Sequence, residues 1–199
     1  MDYDASRLVA TAAIYNLISA SFTSDPKTIQ ASMNSLKKIF DTLGMAEESG
    51  LAEKVITTIE SDSDATSDYV RLFEMGVAPP CETTYTCKEN PELKTYELAD
   101  IAGFYRAFNL KQALGTPDHI RAELEFTAVV LVKELLAHES ADIEAAMICR
   151  EARRKFYLEH LAQWVGELAR RVRENARKPL YIHLTDLLTR VVLRSEWMA

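Results

Sequence analysis

Apolar residues recur along this chain at steps of three and four, and no run alternates long enough to read as a strand. A step of three or four lays side chains along one face of a helix, whereas a half-buried strand needs a step of two. Leu8, Ala12, Tyr15, Ile18 and Phe22 form one stripe, and Ile29, Met33, Leu36, Phe40 and Leu43 form a second. Asp25 ahead of Pro26 reads as an N-cap followed by proline at the first helical position, where its missing N–H costs nothing. Gly44 supplies a left-handed stop. Leu51, Val55, Ile56 and Ile59 mark a third helix, and Tyr69, Leu72 and Phe73 a short fourth ended by Gly76. Two adjacent prolines forbid helix within the loop 76–92.

Pro91 can open the next helix, which carries Leu98, Ile101, Phe104 and Phe108. After a loop at 109–116, Thr116 and Pro117 read as the cap and first position of another helix. That puts Asp118 where the helix dipole favours a negative charge, ahead of Ile120, Leu124, Thr127, Leu131 and Leu135. Ser140 reads as a further cap, before apolar positions that run from Met147 through Phe156, Leu161 and Trp164 to Leu168. The span is long for one globular helix, so a break is expected near Leu161–Gly166. Pro179 opens the last helix. The expectation is an all-α bundle of about eight to ten helices in one domain, residues 1–199, without internal repeats.

Charge narrows the function classes. The formal net charge is −7, which disfavours nucleic acid as a partner because phosphate binders need a basic surface. Residues 41–100 hold 14 acidic against 4 basic residues, and residues 150–178 hold 9 basic against 4 acidic. Most of these read as solvated helix faces, while the acidic half also suits a cationic partner. Cys81, Cys87 and Cys149 are an odd number without tight spacing, which argues against a disulfide framework and for a reducing compartment. The segment MDYDASRLVA is not a secretory signal, and no apolar run nears the roughly 20 residues that span a bilayer. A cytoplasmic protein without stable membrane insertion is expected.

The sequence offers little catalytic chemistry. The six glycines are isolated, so no phosphate-cradling loop is present, and there is neither an H-E-x-x-H motif nor paired cysteines at zinc spacing. His119 with Glu123, and Glu134 with His138, share helix faces, but each pair reads more readily as a solvated or capping contact than as half of a metal site. Cys81 and His119 lack an orienting third group for nucleophilic catalysis. No catalytic residue, metal or cofactor is expected, which leaves a binding surface at the loops.

Four blocks carry a resemblance: YVRLFEMGVAPPCETTY at 69–85, ELADIAGFYRAFNL at 97–110, PDHIRAELEF at 117–126 and FYLEHLAQW at 156–164. In this order and spacing the chain resembles the TorD/DmsD family of redox-enzyme maturation chaperones. It departs from the family pattern at Cys81, Asn109 and Thr127.

The resemblance implies an all-helical chaperone and no enzyme. Its partners would be the twin-arginine leader and the catalytic subunit of a molybdopterin-containing reductase, held until the cofactor is inserted and export is safe. The family's leader-binding positions fall on Pro79, Pro80, Glu82, Tyr85, Pro117, Asp118 and His119, with Cys81 as a groove neighbour. Asp118 and Glu82 offer carboxylates to guanidinium, and an apolar groove would take the leader's apolar stretch. The family also forms exchanged dimers, for which the loop 109–116 is a natural hinge, so a homodimer is one expected state. Two other readings stand beside this one. A nitrate-reductase-type assembly chaperone would act on a client that is not exported. A small helical enzyme or metal-binding protein would belong to another class.

Overall fold

The computed structural model describes residues 4–111 and 115–194 of the chain. Residues 112–114 of the expected hinge loop lie outside the described residues. Among those described the fold is all-α, with nine α-helices and no strand, as the stripes predict. They are α1 (Ala5–Ala20), α2 (Pro26–Thr42), α3 (Ala46–Ser61), α4 (Thr83–Thr86), α5 (Lys94–Ala107), α6 (Ile120–Glu139), α7 (Ile143–Phe156), α8 (Ala162–Asn175) and α9 (Leu180–Val192). Two π-helical turns, Val70–Glu74 and Tyr157–Leu161, and a 3-10 turn at Pro91–Leu93 complete the list. No helix among the described residues is long and apolar enough to cross a membrane.

The chain divides into two compact units, one drawn from Met1–Asn16 and Cys81–Gln163, the other from Leu17–Pro80 and Trp164–Arg194. In the second unit, Asp25 caps α2 as expected. Its two carboxylate oxygens accept from the backbone N–H of Lys27 and of Thr28, each at 3.2 Å. Gly44 ends the helix with φ +69°. Ile29, Met33, Leu36 and Phe40 form the buried face of α2, and α3 packs between α2 and α9. Phe73 meets Phe22 and Tyr181 edge-on, with centroids 5.9 and 5.2 Å apart. The buried Glu48 accepts from Arg190 at 3.1 Å and Arg194 at 2.6 Å. From the basic run, Arg173 binds Asp186 and Lys178 binds Asp62 and Asp64 in partly exposed pairs.

In the first unit α6 and α7 form a hairpin. Ser140 ends α6 rather than opening α7, because Ala141 takes a left-handed φ of 59° and breaks the helix. Asp142 caps α7 instead, accepting from Ala145 N–H at 2.9 Å. The break expected near Leu161–Gly166 falls slightly earlier, as the π-helical turn between α7 and α8. Ile101 and Tyr105 of α5, Phe126 and Val130 of α6, and Cys149 and Phe156 of α7 share one buried cluster. The Phe126 and Phe156 rings lie 4.5 Å apart. Burying each such side chain stabilises the unit by about 1.5–3 kcal/mol.

Candidate functional site

The site forms where the 81–86 segment meets the start of α6, both in the first unit. Cys81 and His119 form an isolated antiparallel bridge, in which Glu82 N–H donates to the Asp118 carbonyl at 2.9 Å. Asp118 closes the junction from inside. Its Oδ2 accepts from Thr83 N–H at 3.1 Å and from Thr83 Oγ1–H at 2.5 Å. The Tyr105 hydroxyl donates to the Pro117 carbonyl at 2.7 Å, which fastens α5 to the same corner. Two sequence blocks some 35 residues apart are thus stitched into one structure.

This geometry corrects the expected helix start. α6 begins at Ile120, and His119 rather than Thr116 is its N-cap, with Nδ1 accepting from Arg121 N–H at 3.1 Å. Asp118 is therefore not an exposed first-turn charge; it is 1% exposed. Burial lowers the His119 pKa and the Arg121 charge adds to the effect, which favours the neutral ring. Burial, with the Asp118 charge behind it, pushes the Cys81 thiol up to about 11. The thiolate that nucleophilic attack requires is scarce at neutral pH.

Beside this corner runs a groove of about 420 Å³. Tyr105, Leu110, Ala122, Phe126 and Val129 supply its apolar lining, and Lys111, Arg121 and Glu125 line it with charge. Of the expected leader-binding residues, His119 lines it. Pro117 and Tyr85 are half-buried nearby in the chain, while Glu82 and Asp118 are buried. Pro79, half-buried, and Pro80, buried, close the second unit just before the chain enters the first. Cys81 is half-buried, its sulfur 3.7 Å from Thr116 Oγ1.

Glu82 has a partner within the chain. Its Oε1 lies 3.1 Å from His160 Nδ1, and His160 Nε2 lies 3.1 Å from Asp100 Oδ2. Burial works to lower the His160 pKa, but the hydrogen bond and charge of Glu82, then those of Asp100, outweigh it and raise the pKa. His160 and Asp100 both sit in the family-like blocks, yet nothing in either block alone shows that they meet. The pairs considered for a metal are committed elsewhere: His119 caps α6, and Glu134 binds Arg150 and Arg153. Carboxylates do gather around His160, with Glu82 and Glu97 on one side and Asp100 and Glu159 in an overlapping set.

Residues 44–170 match the family described as nitrate reductase delta subunit, well over half of the chain. Over 132 residues the chain is 31% identical to the selenate reductase assembly chaperone protein of Thauera selenatis, covering 63% of this chain and 64% of that relative. The match thus spans less than two thirds of the relative's length. No solved structure matches.

Proposed function

We propose that this chain, which belongs to the nitrate reductase delta subunit family, is an assembly chaperone for a molybdopterin-containing reductase. It holds the unfinished catalytic subunit in the cytoplasm while the cofactor is inserted, and grips it through a twin-arginine leader. Likeness to a protein named as a selenate reductase assembly chaperone carries the reading. The groove supports it physically. Its apolar floor suits the apolar stretch of a leader. Glu82 and Asp118 serve from inside, by holding the corner on which His119 is displayed. Pro79, Pro80, Tyr85 and Pro117 belong to the same proposed leader-binding set.

The family's description also motivates a second reading, a nitrate-reductase-type assembly chaperone acting on a client that is not exported. Calorimetric titration separates the two. The twin-arginine leader of a molybdopterin-containing reductase from the same organism, made as a synthetic peptide, is titrated into wild type, His119→Ala, the half-buried lining variant Val129→Ala and the exposed control Lys38→Ala of α2. The leader reading expects binding to wild type and control, and affinity about tenfold weaker in the two groove variants, equivalent to 1.4 kcal/mol. Equal binding by all four would remove the groove from the account. If wild type ignores the leader but binds the mature N-terminal segment of a reductase that has none, the second reading replaces the first.

A further inference from the structure

His160 stands on the π-helical turn Tyr157–Leu161, 1% exposed, with a carboxylate at each ring nitrogen. A neutral imidazole carries one N–H. With that N–H given to Asp100 Oδ2, the Nδ1 lone pair faces Glu82 Oε1 at 3.1 Å. Two electron-rich atoms do not stay that close in a buried place unless a positive species lies between them. An imidazolium donating from both nitrogens would satisfy both contacts, but it would leave Glu82 Oε2 without a donor.

The surroundings ask for more than a proton. One oxygen each from Glu82 and Glu97 and one nitrogen of His160 lie within 4.8 Å of one another. Glu82 is 1% exposed, and its second oxygen, Oε2, is buried without a hydrogen-bond donor. A carboxylate left half-satisfied in the interior is costly. Metal–ligand bonds of about 2.0–2.2 Å in a tetrahedral shell place ligand atoms roughly 3.3–3.5 Å apart, so side-chain adjustment alone can close the set. Asp100 is placed as the outer carboxylate that receives the other N–H of a metal-bound histidine and fixes its ring.

We propose that Glu82, Glu97 and His160 bind one divalent metal ion of the zinc class, with Asp100 orienting the imidazole and a fourth position open. An imidazole with two carboxylates suits zinc, cobalt or iron, whereas magnesium and calcium prefer oxygen alone. The overlapping set on the Nε2 side is the weaker candidate, because Asp100 and Glu159 are exposed and water satisfies them. The bound ion ties the 82–86 segment to α5 and to the π-helical turn, and so stiffens the corner that carries His119. The site departs from the metal-free expectation of the sequence because its ligands are 15 and 63 residues apart along the chain.

The test uses the full chain dialysed against a chelator and titrated with Zn²⁺ by calorimetry and with Co²⁺ by visible absorption. The expected result is one ion per chain, with the intense visible bands of a four-coordinate cobalt site. Glu97→Gln and His160→Gln should each bind at least about tenfold more weakly, and Asp100→Asn about tenfold. Glu97 is only half-buried, so its amide variant keeps the fold and decides the matter if His160→Gln does not fold. Wild type that takes up neither ion, or variants that bind either ion as wild type does, would overturn the site. Neither outcome depends on leader binding.

Discussion

Glu134→Ala is expected to melt about 6–20 °C below wild type. Glu134 has no exposed surface, and its two oxygens accept from Arg150 Nε and Arg153 Nε, each at 3.1 Å. Arg153 is itself 3% exposed. Removing the carboxylate leaves two guanidinium groups without the anion they share. Breaking a buried pair from one side costs about 3–5 kcal/mol. A chain of this size loses about 2–4 °C per kcal/mol. Replacing the buried pair as a whole is far less harmful, because no uncompensated charge is left. Glu134→Leu with Arg153→Met should therefore recover most of the loss, since Arg150 is partly exposed and can turn to solvent. Thermal melts followed by circular dichroism check both. A double variant no more stable than Glu134→Ala would contradict the charge argument.

Asp118→Ala has the next largest expected effect, and it reverses what the sequence suggests. A first-turn charge on an exposed helix start is worth about 0.3–1 kcal/mol. The buried Asp118 instead accepts from both donors of Thr83, and one charge-assisted hydrogen bond alone is worth about 1.5–3 kcal/mol. A drop of at least about 3–12 °C follows. Asp118→Ala and Thr83→Val should be strongly non-additive, because Thr83→Val removes one of the two contacts that Asp118→Ala removes together. Additivity within about 0.5 kcal/mol would show that the pair does not hold the corner. A weakened leader affinity in Asp118→Ala thus reports a loosened corner, which makes His119→Ala the cleaner probe of the groove.

The same residue shows where sequence reading stops. Helix periodicity and the local stop signals are properties of neighbours along the chain, and they are legible there: the stripe of α2, the cap at Asp25, the left-handed turns at Gly44 and Gly76. The start of α6 was not. Thr116 and Pro117 have the right types for a cap, but the bridge between Cys81 and His119 and the bonds from Thr83 hold Asp118 outside the helix. Those partners lie 35 residues away. The four residues of α4 are too short to leave a periodic trace. The two units interleave along the chain, so no linker composition marks them. The meeting of Glu82, Asp100 and His160 is likewise a product of packing, and only its separate members could be read.

If this chain is needed to complete a molybdenum reductase, the molybdenum content of that enzyme's catalytic subunit depends on it. A molybdopterin-containing catalytic subunit of the same organism that co-purifies with this chain is isolated from cells with and without it. The account predicts that the subunit made without it carries little molybdenum, that plasmid-borne wild type restores a full complement, and that His119→Ala restores only part. A subunit that is fully loaded and active in the absence of this chain would contradict the account.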